Sequence, residues 1–382
     1  MYSISSYGRM IADHVRTQAY ASALRQAIKP GSVVLDIGTG IGIFAMLACQ
    51  FGARRVYAVE PDDAIQVARE IAAANGFADR IEFIQDLSTR ITLPERVDVI
   101  ISDLRGVLPL FRRHIPSIID ARKRFLAPDG VLIPQQDMIY AAVSEAPDLY
   151  ERDATLWIDN NYGLDLSAAR RLVTNTWQKG SVNSDQLLTR PQQWATLDYN
   201  SIESPDVSDE MTFSVTRAGV AHGLSLWFDA MLAEGVSFSN APGQPELIYG
   251  SAFFPFPAPV TLTASDRVSV KLSADLVSDD YIWRWETQVH NQKPSNEIKA
   301  DFKQSTFFSA PLSLERLHKK AASHLPALSE DGHIDQFILS LIDGKTSLGQ
   351  IAQQVSDNFP GYFARWEDAL TRVSELSLKY SL

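Results

Sequence analysis

The chain has 382 residues, of which 45% are hydrophobic and 21% are charged, and its formal net charge at pH 7 is −11. This length suffices for two or three domains of an ordinary globular protein. The acidic balance argues against nucleic acid as a partner, because phosphate groups bind basic surfaces. The sequence has no signal-peptide profile and no apolar run of about eighteen residues, which predicts a cytoplasmic protein without a membrane partner. One cysteine and no metal-ligand spacing predict neither a disulfide nor a metal site.

The most informative segment is residues 33–42, which read Val-Val-Leu-Asp-Ile-Gly-Thr-Gly-Ile-Gly. The apolar residues predict a buried strand, and the glycines predict a tight turn into a helix over residues 44–49. Such a turn brings backbone N–H groups and a helix N-terminus close to a nucleotide-like ligand. The candidate cofactor ligands in this segment are Asp36, Gly38, Thr39 and Gly40.

A second buried strand is predicted over residues 55–60 and ends at Glu60. Glu60 follows the turn by about twenty residues, the spacing at which a carboxylate can bind both hydroxyls of a ribose. A dinucleotide-binding oxidoreductase is the alternative, but the turn is not G-x-G-x-x-G, and Asp36 would repel a pyrophosphate. S-adenosylmethionine has a sulfonium and an ammonium group and no phosphate. The pattern therefore favours S-adenosylmethionine as the cofactor.

Two further strands, over residues 81–86 and 97–103, also end in an acid. In a doubly wound sheet, ligands gather at the carboxyl ends of the strands. We therefore predict that Asp86, Leu87 and Ser88 lie beside the adenine, and that Asp103 lies near the chemistry.

Residues 7–295 resemble the protein arginine methyltransferases, a class I family that uses S-adenosylmethionine. Five segments carry the resemblance: residues 10–20 (M-L-x-D-x-x-R-T-x-x-Y in the family), 56–60 (Y-A-V-E), 97–103 (V-D-x-I-I-S-E), 121–130 and 226–229 (W-F-D). The resemblance implies an α/β fold, with a Rossmann-like seven-stranded methyltransferase domain followed by a β-barrel domain.

The resemblance also implies roles for matched residues. Arg16 would pair with the cofactor carboxylate, since a guanidinium can bind a carboxylate through two hydrogen bonds. Asp36 and the glycines would hold the methionine part of the cofactor, and Glu60 would hold its ribose. Tyr7, Met10 and Asp13 belong to the predicted substrate pocket.

The acceptor pocket departs from the family pattern. The family uses two glutamates on one hairpin to hold a guanidinium, whereas this chain has Asp103 at the first position and Arg112 at the second. Arg105, which lies between them in the sequence, is predicted to add positive charge to the pocket. Removing one partner of a buried charge pair costs about 3–5 kcal/mol, which weakens binding by factors of hundreds. We therefore predict that the pocket disfavours a cationic acceptor.

A second departure lies in the loop that is T-H-W in the family and Leu247-Ile248-Tyr249 here. The resemblance implies that the histidine of this loop pairs with the acid at the Asp13 position, and Ile248 takes its place here. This side of the predicted substrate pocket, which includes Ile248 and Tyr249, is therefore less polar. The predicted catalytic residues are Asp103, which would orient or deprotonate the acceptor, and Arg112, which would anchor a substrate carboxylate. The predicted reaction is O- or C-methylation of a neutral or acidic group, such as an Asp/Glu-type carboxylate, on a peptide or small molecule.

Two alternatives stay open. One is a protein or peptide arginine N-methyltransferase with a rebuilt pocket. The other is a non-catalytic, methyltransferase-like subunit that binds a peptide, although the retained Arg16, Asp36 and Glu60 argue against it.

The predicted domains are a cofactor domain over residues 1–135 and a β-barrel substrate domain over residues 136–300. The resemblance implies a dimerisation arm at about residues 155–184 and hence a homodimer. Residues 301–324 are predicted as a linker with a helix, and residues 325–382 as a helical domain. Within the latter, residues 341–352 resemble the L-D-G-x-x-T-x-x-x-I-A motif of PqqD-like winged-helix domains, which hold leader peptides during modification of ribosomally made peptides. A plain helical extension is the alternative.

Overall fold

The computed structural model describes residues 3–159, 162–291 and 297–381. Its internal contacts divide the chain into two compact units, Met1–Pro311 and Leu312–Leu382. Within the described residues, the helices are too short or too polar to cross a membrane.

The first unit begins with an α/β layer. Its elements are α1 Ile4–Ala12, α2 His14–Ala27, β1 Val33–Ile37, α3 Ile43–Gln50, β2 Arg55–Val59, α4 Ala64–Ala74, β3 Ile81–Ile84, β4 Val97–Ser102, α5 His114–Arg124 and β5 Leu126–Ile133. The strands form a parallel sheet in the order β3-β2-β1-β4-β5. Strand β1 is buried along its whole length, as expected for a parallel strand covered on both faces.

This sheet has five strands in the described residues, and the predicted number of seven is wrong. The chain leaves the parallel sheet after β5, passes through Pro134, and enters a different sheet as β6. The strand order reverses between β1 and β4, which opens a crevice at their carboxyl ends.

The rest of the first unit consists mainly of antiparallel strands. Its elements are β6 Gln136–Ser144, α6 Pro147–Tyr150, α7 Leu156–Asp159, α8 Ser167–Thr174, β7 Gln178–Lys179, β8 Gln192–Asp198, β9 Val207–Ser214, β10 Gly219–Ala233, β11 Val236–Ser239, β12 Ala252–Leu262, β13 Asp266–Val277, β14 Asp280–Asn291 and β15 Glu297–Ser305. One sheet has the order β7-β12-β10-β6-β8, with β11 paired to β10, and the other has the order β15-β14-β13-β9. Trp283, Trp285 and Phe254 are buried in the core that these strands share with the α/β layer.

Two predicted boundaries can be compared with these elements. The predicted end of the barrel domain at residue 300 lies inside β15, which pairs with β14 as far as Ser305. The predicted dimerisation arm contains α7, α8 and β7, while its residues 160 and 161 lie outside the described residues.

The second unit consists of α9 Leu314–Lys320, α10 Glu330–Leu341, α11 Leu348–Asn358 and α12 Trp366–Tyr380. Its own core contains Ile334, Ile338, Ile351, Val355 and Val373. Ser347 begins α11 with a capping box, in which its hydroxyl accepts from the Gln350 N–H. Between residues 312 and 381 the structure has helices and no strand, so the strands of a winged-helix domain are not found there. The parallel sheet, the antiparallel sheets and the C-terminal helices confirm the predicted fold class.

Candidate functional site

A cavity of about 730 Å³ lies at the carboxyl ends of β1 and β4. Glu60 and residues 86–88 line one part of it, and Asp103, Arg112 and Tyr249 line another. The cavity therefore joins the predicted cofactor residues to the predicted acceptor residues.

The glycine turn between β1 and α3 needs its glycines. Gly38 has a φ of +73° and Gly40 a φ of +55°, in the left-handed region that disfavours other residues. A Cβ atom on Gly40 would lie 2.4 Å from the Tyr7 ring, and one on Gly38 would lie 2.4 Å from the Leu104 side chain. Only glycine permits this close approach of backbone and side chains beside the cavity.

Asp36 supports this turn from beneath. Thr39 Oγ1 donates to Asp36 Oδ2 at 2.6 Å, and Asp36 is 1% exposed. Burial raises the pKa of Asp36 to about 7, while hydrogen bonds from Thr39 and the Ala45 backbone oppose the shift. Thr39 and Gly38 line the cavity, whereas Asp36 is not among the side chains that do so.

Glu60 lies at the edge of the cavity and is held by two backbone groups. The N–H of Gly40 donates to Oε2 at 3.0 Å, and the N–H of Asp62 donates to Oε1 at 3.1 Å. Burial raises its pKa, and these two hydrogen bonds oppose the shift. Each carboxylate oxygen keeps a further lone pair, so the group can accept two hydroxyl hydrogens of a ribose.

The residues after β3 line the same end of the cavity. The Leu87 N–H donates to Asp86 Oδ1 at 2.7 Å, and Arg124 Nη2 donates to the Ser88 carbonyl at 2.7 Å. These hydrogen bonds hold the predicted adenine residues together as one loop.

Asp13 connects the N-terminal helices to the loop that contains Ile248. It begins α2 by accepting from the Arg16 N–H at 3.1 Å, and its other oxygen accepts from the Ile248 N–H at 2.8 Å. A backbone N–H thus fills the place that the resemblance assigns to a histidine side chain. Met10 lines the cavity, and its carbonyl accepts from Arg16 Nη1 at 3.3 Å.

Both carboxylate oxygens of Asp103 are engaged. Oδ2 accepts from Arg16 Nε at 2.7 Å and from the Tyr249 hydroxyl at 2.6 Å, and Oδ1 accepts from Arg105 Nη1 at 3.2 Å. Burial alone would raise the pKa of Asp103, but Arg16 and Arg105 lower it below its usual range. Asp103 is therefore anionic and already neutralised by the protein's own cations.

A buried polar network continues from Arg105, whose side chain has no exposure to solvent. Arg105 donates from Nε and Nη2 to the two oxygens of Asp137, each at 2.7 Å. The Tyr199 hydroxyl donates to Asp137 Oδ2 at 2.6 Å, and the His114 ring lies 3.0 Å from that hydroxyl. Arg105 was predicted to add positive charge to the pocket, but Asp137 balances it.

Sequence reasoning missed Asp137, Tyr199 and His114. One signal was present, because Asp137 is a lone acid in the otherwise uncharged strand β6. A buried acid on such a strand requires a cationic partner. Nothing local in the sequence identifies Arg105 as that partner.

Arg112 lies at the cavity with a strained backbone, since its φ is +44°. Its guanidinium lies 5.2 Å from the centre of the Phe111 ring, and among the described residues we find no hydrogen bond or ion pair for it. Arg113 instead lies 3.6 Å from the Asp279 carboxylate. The charge of Arg112 is thus available to a substrate.

These features fit one class of ligand and reaction. Backbone groups of the glycine turn, the Glu60 carboxylate and the adjoining loop over residues 86–88 lie together where an adenosine group could bind. The fold and the site define a methyltransferase that uses S-adenosylmethionine.

Comparisons with known proteins agree with this class. Residues 12–155 match the family model for "Ribosomal protein L11 methyltransferase (PrmA)", and residues 135–288 match that for "Arginine methyltransferase oligomerization subdomain". A probable protein arginine N-methyltransferase 6 of Arabidopsis thaliana is 33% identical over 63% of this chain, and the chain spans 56% of that relative. Protein arginine N-methyltransferase 1 of Dictyostelium discoideum is 30% identical over 63% of this chain and 73% of its own length.

Solved structures show the same fold. The Trypanosoma brucei PRMT1 enzyme-prozyme heterotetrameric complex with AdoHcy is similar with a TM-score of 0.71 and 25% identity, over 78% of this chain and 96% of that chain. Arabidopsis thaliana protein arginine methyltransferase 10 has a TM-score of 0.69 and 24% identity, over 79% of this chain and 97% of that chain. The chain belongs to the protein arginine methyltransferase family. The predicted enzyme class and the predicted cofactor, S-adenosylmethionine, are confirmed.

Proposed function

We propose that this enzyme methylates arginine side chains of a protein or peptide. The support is its similarity, over 251 residues at 30–33% identity, to relatives named as arginine N-methyltransferases. This similarity favours arginine over the neutral or acidic acceptor that the hairpin predicted. In the site, Asp103 keeps an anionic carboxylate at the end of β4, where a guanidinium could approach it.

The cofactor residues follow from the cavity. When bound, S-adenosylmethionine supplies an electrophilic methyl group on a sulfonium. Glu60 would accept hydrogen bonds from its ribose, and residues 86–88 would lie against its adenine. Arg16 would pair with the carboxylate of the cofactor. It would use the N–H groups that are not engaged by Asp103 or by other protein groups. The residues thereby place the methyl group and the acceptor in one cavity, and such positioning supplies much of the rate in transfer reactions.

Incubation with labelled S-adenosylmethionine and an arginine-rich peptide should give methylarginine, detected by mass spectrometry. The matched control is the same peptide with every arginine replaced by lysine, which keeps the charge and removes the guanidinium. Label on the lysine peptide, or none on the arginine peptide, would contradict an arginine acceptor.

A second acceptor class, a neutral or acidic group, is favoured by one observation. Both oxygens of Asp103 already bind Arg16, Tyr249 and Arg105. Among the described residues, six basic and four acidic ones line the cavity, and three of the acidic ones, Glu60, Asp62 and Asp86, lie at the cofactor end. Asp137 and Asp103 neutralise Arg105 and Arg16, so a guanidinium at the acceptor end would meet the uncompensated charge of Arg112 and, among the described residues, no free carboxylate in the cavity there.

Replacing Arg112 with glutamate separates the two acceptors. For an arginine peptide we expect KM to fall about tenfold, because a like charge beside the guanidinium becomes an opposite one. The control is Arg112→Gln, which removes the charge at the same strained backbone position and should give an intermediate KM. The acidic acceptor would be favoured by the opposite result. In that case KM for the arginine peptide rises in the glutamate variant, and turnover on carboxylate peptides falls from the wild type to Arg112→Gln and further to Arg112→Glu.

Further features of the protein are proposals that rest on resemblance. The name of the family model over residues 135–288 and the heterotetrameric neighbour support self-association, for which the predicted arm at residues 155–184 is the candidate. A homodimer is proposed on the same basis. Peptide recognition by residues 325–382 and a role in modifying ribosomally made peptides are proposed from the motif at residues 341–352, and a cytoplasmic location is proposed from the sequence features given above. That neighbour is an enzyme-prozyme complex, which keeps a non-catalytic subunit as a third candidate.

A further inference from the structure

His114 is a buried histidine beside the acceptor end of the cavity that neither the motifs nor the proposed cofactor site use. It begins α5, two residues after Arg112, and is 2% exposed. His114 is among the residues that line the same cavity as Asp103 and Arg112. A histidine at this place can contact a group bound in the cavity.

The network around His114 determines which ring nitrogen carries the hydrogen. Asp137 is a carboxylate that only accepts, so the Tyr199 hydroxyl must donate its hydrogen to Asp137 Oδ2, 2.6 Å away. The Tyr199 oxygen then accepts from His114 Nε2 at 3.0 Å. His114 is therefore protonated on Nε2, and Nδ1 presents a lone pair.

The Nδ1 atom is buried and has no hydrogen-bond partner among the described residues. Burial is the main cause that lowers the pKa of His114 to about 3, and Arg105 lowers it further while Asp103 opposes the shift. The Tyr199 ring also packs edge-on against the imidazole, at 5.3 Å between ring centres. The imidazole is thus neutral at physiological pH and held in one orientation.

An unpartnered buried acceptor is costly, and such atoms in native structures usually have a function or a partner that binds later. His114 is one of the residues that line the cavity, and its buried Nδ1 is the ring atom left without a partner among the described residues. A bound group with an N–H or O–H hydrogen would satisfy Nδ1. An ionised carboxylate would not, because its oxygens carry only lone pairs.

We propose that His114 Nδ1 accepts a hydrogen bond from the methyl acceptor and orients its attacking atom, which makes His114 a catalytic residue. This inference deepens the proposed function and rests on it. It requires an acceptor that carries a hydrogen at or beside the attacking atom, as a guanidinium, an amide or a hydroxyl does. Asp137 and Tyr199 act through His114 and are positioning residues.

Two variants separate this role from a structural one. His114→Gln places its amide N–H near the Nε2 position and keeps the bond to Tyr199, but leaves no acceptor near Nδ1. His114→Asn places its amide oxygen near the Nδ1 position and loses the bond to Tyr199. We expect the glutamine variant to be the more stable of the two, but to lose about tenfold or more in kcat. We expect the asparagine variant to be the less stable, but to keep more of the wild-type kcat.

Three measurements are needed for each variant: kcat and KM on the peptide that the wild type methylates, the affinity for S-adenosylhomocysteine by calorimetry, and the midpoint of thermal unfolding. If activity follows stability, or if His114→Gln retains wild-type kcat, the proposal is overturned. Nitrogen-15 NMR of the wild-type complex with S-adenosylhomocysteine adds a test that needs no turnover, since a hydrogen on Nδ1 at pH 7 would also overturn it. If the wild type methylates an amide or hydroxyl and not arginine, the proposed acceptor is wrong, and the same variants on that substrate still decide the role of His114.

Discussion

Asp137→Ala should destabilise the protein by about 3–5 kcal/mol, the cost of leaving one charge of a buried pair without its partner. Arg105 and Asp137 both have side chains with no solvent exposure, and they share two hydrogen bonds of 2.7 Å. The alanine variant keeps a buried guanidinium and removes its carboxylate. Denaturant unfolding followed by circular dichroism measures the loss.

Two controls show whether the loss comes from the unpaired charge. Asp275→Ala breaks an ion pair with the exposed Arg284 and should change stability by less than about 1 kcal/mol. The double variant Arg105→Met with Asp137→Leu removes both charges and should recover most of the stability, since apolar replacements of buried ion pairs are often tolerated. If Asp137→Ala alone stays within about 1 kcal/mol of the wild type, the pair is not the buried support described above.

Glu60→Ala should weaken S-adenosylhomocysteine binding by roughly a hundredfold, the loss expected for two hydrogen bonds to a charged acceptor. Its carboxylate also holds the N–H groups of Gly40 and Asp62, so the variant loosens the glycine turn as well as the ribose contact. Isothermal titration calorimetry gives the dissociation constant directly.

The matched control for this experiment is Glu82→Ala, because Glu82 lies on the neighbouring strand β3 and pairs with Arg55 at the surface. It should leave binding unchanged. Equal affinity of the Glu60 variant and the wild type, with both folded by circular dichroism, would remove Glu60 from the cofactor site.

Much of the cofactor half of the site was predictable from the sequence. The strand, the glycine turn and the helix at residues 33–50 are set by neighbouring residues, and the left-handed φ angles of Gly38 and Gly40 explain why glycines occur there. Glu60 follows at the spacing that one βαβ unit imposes. These local rules led to the correct fold class, family, enzyme class and cofactor.

The acceptor half was less predictable. Arg105 was expected to add charge to the pocket, and the structure pairs it with Asp137 instead. The predicted number of seven strands was also wrong. After β5 the chain leaves the parallel sheet, because β6 pairs with β10 and β8 in an antiparallel sheet instead. The roles of Arg16, Asp36, Asp103 and Arg112 remain predictions, and the Arg112 variants above test the last of them.

The sequence by itself was enough to identify the methyl donor, S-adenosylmethionine. The glycine turn and Glu60 lie at a short, regular spacing within one βαβ unit, and this spacing can be read from the sequence. Only the tertiary structure decided the charge and hydrogen bonding at the acceptor end. Arg105 and Asp137 are 32 residues apart in the chain, and Asp103 and Tyr249 are 146 apart. Such residues meet only when β4, β6 and the loop before β12 are brought together by packing, and the energy of a charge depends on the partners it meets there.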